Sequence, residues 1–204
     1  MKHFHVGAAS GLIAVAAANG VLFAWRNPNA SPVKQYIQRV RFGLAITTPA
    51  TAAQELTIEL VKATFVDNYT GADGSIDLLT AIRHRSLDKQ RVLASSQIPV
   101  SAATSGDIRI AGTAAMTAGA TGPTIDSQPW SRRGMFLPAT ASAIVIDIRE
   151  LVIEWGNPAP PVDHEVPDQG CMQLAANDGF LVRMPIAAGA ALVTRLYAEV
   201  EWLE

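Results

Sequence analysis

The sequence predicts an all-β protein: an antiparallel β-sandwich, jelly-roll-like, with long loops or extended arms and at most one short helix. Apolar and polar residues alternate with a period of two along several segments, which is the pattern of strands with one buried face. Clusters of Gly, Pro, Asn and Asp separate these segments. About eight to ten such strands joined by turns are typical of a sandwich, and we expect residues 1–204 to form one domain.

The first 25 residues favour two strands and a tight turn over a signal peptide or a membrane helix. Residues 6–25 carry no charge and follow Lys2, as a leader would. However, their many Ala, Gly, Ser and Asn residues weaken the driving force for membrane insertion. The pair Asn19-Gly20 is a strong hairpin signal. We therefore expect residues 12–15 and 21–25 to pair as a hairpin.

Two neighbouring segments show the clearest alternation. The first places four apolar residues on one side and two arginines on the other: Val40, Phe42, Leu44 and Ile46 against Arg39 and Arg41. The second places three apolar residues against two polar ones: Leu56, Ile58 and Leu60 against Thr57 and Glu59. A connection containing Pro49 joins them. We expect adjacent strands of one antiparallel sheet, each with a buried face and a solvated face.

The middle of the chain is less regular. Residues 76–93 fit either a short helix or an irregular excursion over the sheet, whereas residues 107–110 form a short strand pattern. The Ser-, Thr-, Ala- and Gly-rich segment 114–133 is predicted to be a long loop or arm, because long structureless loops are usually binding elements. The Pro- and Asn-containing segments 27–33 and 157–166 are the other arm candidates.

One aromatic residue and two arginines stand together at the end of the 114–133 segment. Trp130, Arg132 and Arg133 are the candidate interface residues, because Trp and Arg are enriched at the centres of protein interfaces. The alternative is that Trp130 packs over the edge of the sheet. Both interpretations place residues 129–134 on a loop.

Clear strand patterns return in the last third of the chain. Residues 143–155 alternate with a change of parity near Glu150, which indicates a bulge or bend. Residues 171–174 and 180–184 flank a turn at 177–179. The final alternation places six residues inward, against Arg195, Glu199 and Glu201 outward: Leu192, Thr194, Leu196, Ala198, Val200 and Trp202.

Composition and motifs favour a protein that is not an enzyme. The formal net charge of −2, without a block of like charge, argues against a nucleic-acid partner. Nothing completes a metal site around His3, His5 or His164, and a lone Cys171 in an apolar run is typical of a small buried hydrophobe. No nucleophile elbow, phosphate loop or dinucleotide fingerprint occurs, so no cofactor or small-molecule substrate is expected. A pair of catalytic carboxylates that converge only in the fold stays open, although Asp147, Glu150 and Glu154 alternate with apolar residues as ordinary outward strand positions would.

Several blocks of the chain resemble a family of tailed-bacteriophage virion structural proteins. The most specific are the Thr-Ala-Ala-Gln-Glu block at 51–55 and the Asp-Ile-Arg-Ile block at 107–110. Further similar blocks, in the same order, are 11–15, 23–26, 47–50, 111–119, 177–183 and 196–202. The sequence departs from the family pattern at 76–97 and 131–143. The resemblance implies a β-rich fold and a place in the phage particle.

The resemblance leads to a leading hypothesis and two alternatives. The first is a capsid decoration or cement protein on the capsid exterior, made in the bacterial cytoplasm. It would self-associate as a homo-dimer or homo-trimer and clamp subunits of the major capsid protein, without a membrane or nucleic-acid partner. The second is a tail, neck or host-recognition component of the particle. The third is a carbohydrate-active enzyme built on a β-sandwich.

Overall fold

A computed structural model describes residues 3–14, 16, 18–27, 34–65, 75–77, 83–85, 92–93, 108–116, 123–139, 150–156, 171–189 and 191–203. The described residues form strands and connections without a helix. The fourteen strands of these ranges are β1 (His3–Ala9), β2 (Gly20–Arg26), β3 (Gln35–Thr48), β4 (Gln54–Thr64), β5 (Ser75–Asp77), β6 (Arg83–Arg85), β7 (Val92–Leu93), β8 (Ile108–Ala111), β9 (Thr124–Ile125), β10 (Ser131–Leu137), β11 (Glu150–Gly156), β12 (Met172–Leu174), β13 (Asp178–Met184) and β14 (Val193–Leu203).

The strands form two antiparallel sheets that pack against each other as a β-sandwich, which confirms the predicted fold class. The sheet built around β3 has the order β11-β3-β14-β1-β6-β7, and β12 continues the β11 edge along β3. The sheet built around β4 has the order β10-β4-β13-β2-β8-β5, and β9 continues the β10 edge along β4. We call these the β3 sheet and the β4 sheet.

Aromatic rings from both sheets meet in the core. Phe23, Trp25 and Phe180 come from the β4 sheet, and Phe42 and Trp202 come from the β3 sheet. All five are fully buried, with ring centroids 5.0 Å apart for Phe23 and Phe42 and 4.7 Å apart for Trp25 and Trp202. Aromatic side chains bury large apolar areas and gain further from edge-to-face contacts. These rings therefore join the two sheets at their centre.

The faces predicted for β3 and β14 are confirmed. The four inward residues of β3 and the six inward residues around β14 are all buried in the core. On the opposite face Arg39 and Arg41 are half-buried and Glu199 is exposed. This outer face of the β3 sheet alternates in charge between strands, because Arg41 lies opposite Glu154 on one side and Glu199 on the other.

The expectation that β3 and β4 pair is wrong. The two strands lie in different sheets, and β3 instead pairs with β11, β12 and β14. The connection around Pro49 therefore crosses from one sheet to the other, with Ala50 buried in the core. A period-two pattern fixes which residues share a face, but it does not identify the neighbouring strand.

The expected N-terminal hairpin is also wrong. The first strand is β1, at His3–Ala9, and residues 12–14 form no strand beyond a single bridge between Ile13 and Thr194. The turn before β2 is present, and Asn19 adopts a left-handed conformation with φ of 61°. However, β1 belongs to the β3 sheet and β2 to the β4 sheet, so this turn does not join paired strands.

The outer face of β4 is buried, although it was expected to be solvated. Thr57 and Glu59 are both buried, as are Val61, Ala63 and Phe65 farther along the same face. Val61, Ala63 and Phe65 form a second apolar cluster with residues from other elements. Those residues are Val21, Ala24, Leu181, Met116 and the half-buried Ile125. The β4 sheet therefore has buried residues on both of its faces.

The arm candidates fall partly within the fold. Met116 is buried and bridges Val21, and segment 123–133 contains β9 and the start of β10, so most of 114–133 is not a free arm. Asn27, the first residue of the 27–33 candidate, is buried against the turn at Asn177. Residues 28–33, 117–122, 140–149 and 157–166 lie outside the described residues. Within 76–93, the described parts are strands β5 to β7.

Substitution of Gly179 should destabilise the β4 sheet. A Cβ atom at Gly179 would lie 1.9 Å from the carbonyl oxygen of Trp25 and 2.6 Å from the Phe65 ring. We therefore expect Gly179→Ala to lower the free energy of unfolding by about 1–3 kcal/mol, as overpacking typically does. Gly7→Ala is the matched control in another strand, because its nearest atom would be 3.5 Å away. Urea denaturation that shows equal stability for both variants would contradict this packing.

Candidate interaction surface

The three candidate interface residues lie at one edge of the β4 sheet. Arg132 and Arg133 are in β10, which is the terminal strand of the sheet in the described part of the chain, and Trp130 directly precedes it. The expectation that residues 129–134 form a loop is therefore wrong from Ser131 onward. The strand forms because each residue from Ser131 to Leu137 pairs with β4, from Leu60 back to Gln54.

Trp130 closes the sandwich at this edge. Its ring stacks on Trp155 of β11 in the β3 sheet, with centroids 6.2 Å apart and planes inclined by 23°. Its backbone N–H donates to the carbonyl oxygen of Leu60 at 2.9 Å. Trp130 nevertheless stays 36% exposed. Trp130 therefore packs over the edge of the sheet, which was the alternative interpretation of its sequence position. Part of its ring still faces solvent.

Arg132 belongs to a charged cluster across three neighbouring strands. By register, Glu59 of β4 lies directly opposite Arg132 of β10 on one side and Arg183 of β13 on the other. Arg132 donates from Nε and Nη2 to Oε1 of Glu59, and Arg183 donates from Nε to Oε2 at 3.0 Å. The Glu59 side chain is 0% exposed, whereas those of Arg183 and Arg132 are 17% and 61% exposed. We call these residues the Glu59 triad.

The triad explains how a carboxylate is buried on the outer face of a sheet. A buried charge is costly unless it is paired and hydrogen-bonded, and each oxygen of Glu59 accepts from a guanidinium. Charge-assisted bonds of this kind are stronger than neutral ones. These contacts link β10, β4 and β13 side by side, so the triad holds the edge strand against the sheet.

The ion pair between Arg39 and Glu154 differs from the Glu59 triad because it lies at the surface. Arg39 donates to Oε1 of Glu154 at 3.1 Å from Nε and at 2.8 Å from Nη2, across β3 and β11. That hydrogen bond raises the pKa of the Arg39 guanidinium above its usual value. Because the side chains of Arg39 and Glu154 are 32% and 48% exposed, this pair contributes little to stability. It provides a comparison for the buried Glu59 triad.

The side of β10 that faces solvent carries the most exposed of the large hydrophobic side chains in the described part of the chain. Phe136 is 66% exposed and shares the outer face with Arg132 and Gly134. On β4, Glu55 is exposed and lies opposite Phe136, and it accepts a hydrogen bond of 2.8 Å from Thr57 Oγ1. Arg133, on the other parity of β10, is also exposed. Phe136, Arg132, Arg133 and Trp130 form what we call the β10 surface.

The chemistry considered for metal or nucleophilic sites does not assemble in the described residues. Within those ranges no group of three or more His, Cys, Asp or Glu side chains could hold a metal ion. His5 and Cys171 are half-buried, so Cys171 is not the fully buried hydrophobe expected, and His164 and Asp147 lie outside the described residues. Glu154 faces solvent and is bound to Arg39. Within the described ranges, no helix is long and apolar enough to cross a membrane.

Sequence reasoning identified part of this surface. It selected Trp130, Arg132 and Arg133, but it missed Glu59, which looked like an ordinary outward residue of an alternating strand. It also missed Phe136, because 131–137 was not recognised as a strand. Alternation in Ser131–Leu137 is weak, since Arg133 occupies an inward position beside Met135 and Leu137.

Comparison with protein-family models, with curated proteins and with solved structures finds no match in any of the three.

Proposed function

We propose that this chain is a non-enzymatic structural protein of a tailed-bacteriophage particle, most specifically a capsid decoration or cement protein that binds the major capsid protein. The observation that carries the proposal is the β10 surface: exposed Phe136, Arg132 and Arg133 on a terminal strand that the Glu59 triad fixes in place. Aromatic and arginine side chains on a rigid element are typical of protein-binding sites. The resemblance of the 51–55 and 107–110 blocks points to the same class.

The physical demands on a cement protein agree with this architecture. Such a protein binds at many symmetry-related positions, so modest contacts at each position add to a large total affinity. A sandwich with an aromatic core keeps its edge strands in fixed positions, which limits the entropy lost on binding. Self-association as a dimer or trimer would match the symmetry of a capsid, and the proposed location is its exterior.

The proposal is tested by binding to capsid shells. Purified chain is mixed with shells of the major capsid protein, and bound copies per shell are measured by co-sedimentation and quantitative mass spectrometry. We expect saturation at on the order of hundreds of copies, and Arg133→Glu should weaken binding because it reverses a charge on the β10 surface. Lys34→Glu, at an exposed position directly before β3 of the opposite sheet, is the matched control and should bind as the unaltered chain does.

Two other outcomes would replace the proposal. Saturation at about six or twelve copies, or binding only to tails, would indicate a tail or neck component. Absence of binding to shells and tails, together with hydrolysis of a polysaccharide, would indicate a carbohydrate-active enzyme. In either case the capsid function would be abandoned.

A further inference from the structure

No strand in the described part of the chain pairs with the outer edge of β10. A terminal strand presents unpaired backbone N–H and C=O groups to which another strand can add, and natural proteins usually protect such edges. In the described part of the chain, β10 is seven residues long and has no proline within it. Ser131 to Phe136 are half-buried or exposed. Arg133 on the inward parity is a feature that discourages pairing, but the length and regularity of β10 leave its edge able to accept another strand.

We propose that a second copy of this chain pairs with β10 through its own β10, antiparallel and across a two-fold axis at Gly134. This inference deepens the self-association that forms part of the proposed function, and it specifies the surface, the symmetry and the register. The result would be one continuous sheet through two protomers, in which Phe136 and Arg132 would face the second copy and Arg133, on the other parity of β10, would be left for the capsid protein.

The residue pattern of β10 is complementary to itself in this register. A two-fold axis perpendicular to the sheet joins two copies of an edge strand antiparallel and keeps every residue on its own face. With the axis at Gly134, Arg132 lies opposite the partner's Phe136 on the outer face. Arg133 lies opposite the partner's Met135, and Ser131 lies opposite the partner's Leu137. The two Gly134 residues meet at the axis, where neither has a side chain.

Charge and aromatic character agree along the outer face. A row across the two protomers would read Glu55, Phe136, the partner's Arg132 and the partner's Glu59. The guanidinium of Arg132 would cover the exposed Phe136 ring, and cation–π contacts favour that arrangement. The Glu59 triad keeps one net positive charge, because one carboxylate pairs with two guanidiniums, so Arg132 retains the positive charge that a cation–π contact needs.

Neighbouring registers are less favourable. An axis at Arg133 places two arginines directly opposite each other, and like charges in that position destabilise a strand pair. An axis at Met135 places Arg132 opposite the partner's Pro138, which has no backbone N–H to donate, and it moves Phe136 onto Gly134. The register centred on Gly134 avoids both problems.

The test uses two substitutions at one exposed position. Sedimentation equilibrium of the unaltered full chain should show a dimer. Phe136→Arg places an arginine opposite the partner's Arg132 twice in each dimer, and it should raise the dimer dissociation constant roughly tenfold to several-hundredfold. Phe136→Glu instead places a carboxylate opposite the partner's Arg132, so the dimer should persist. Because Phe136 is largely exposed, both variants should retain the circular dichroism of the unaltered chain.

Each other result overturns the proposal. A monomer or trimer for the unaltered chain, or equal dissociation constants for Phe136→Arg and Phe136→Glu, would exclude this register. A chain that stays monomeric but binds an extended acidic peptide at β10 would assign the edge to a different partner. Shell binding is measured separately for each variant: a dimer that binds no shell would contradict only the capsid function, and a monomer that saturates shells would contradict only the dimer.

Discussion

Trp25→Ala is expected to lower the free energy of unfolding by about 3–5 kcal/mol, as truncation of a fully buried aromatic side chain typically does. Trp25 stacks on Phe180 with centroids 5.9 Å apart and meets the edge of Trp202. Its indole N–H donates to Gln35 Oε1 at 2.9 Å in the buried interior. The substitution therefore removes contacts between the two sheets, leaves a cavity and takes away the donor of a buried hydrogen bond.

The measurement is urea denaturation followed by circular dichroism, with Trp130→Ala as the matched control. Trp130 has one stacking partner and is partly exposed, so we expect its truncation to cost about 0.5–1.5 kcal/mol. Since folded domains are stable by about 5–15 kcal/mol, Trp25→Ala should remove a large part of the total. Similar losses for the two variants would contradict the location of the aromatic core between the sheets.

Glu59→Gln is expected to have the second largest effect. Removal of one partner from a buried ion pair typically costs 3–5 kcal/mol, and because Arg132 can turn to solvent we expect about 2–4 kcal/mol. The neutral amide fits the same space, so the loss would come from charge and not from volume. Arg183, which is largely buried, would then be left without its carboxylate.

The control for Glu59→Gln is the same substitution at Glu154. That carboxylate pairs with Arg39 at the surface, and its loss should cost at most about 1 kcal/mol. Hydrogen exchange adds a local readout: amide protection in β10 should fall in Glu59→Gln but not in Glu154→Gln, because the Glu59 triad holds that edge strand. Unchanged protection of β10 would show that the triad does not fix the strand.

Local geometry allowed the strand faces to be predicted. Val40, Phe42 and Leu44 are buried, as their alternation indicated. The alternate residues of β14 are buried as well: Leu196, Ala198, Val200 and Trp202. The turns at Asn19 and Asn177 were also recognisable, because Asn tolerates the left-handed conformation that both residues adopt. Each of these features depends on residues within a few positions of one another.

The Glu59 triad could not be predicted in this way. Glu59 lies 73 residues before Arg132 and 124 residues before Arg183, and nothing near it in the chain indicates that it is buried. The sequence pattern of an alternating strand with a glutamate on its outer face is the same whether that face contacts water or two arginines. The weak alternation of β10 has the same origin, since an edge strand tolerates Arg133 on its inward parity.

The sequence by itself determined that this protein is an all-β sandwich and which side chains of its regular strands face the core, because side-chain direction in a strand alternates residue by residue. The tertiary structure decided that β3 and β4 belong to different sheets, that the outer face of β4 is buried, and that β10 is an edge strand. Those properties depend on contacts between residues far apart in the chain, and no local period encodes them.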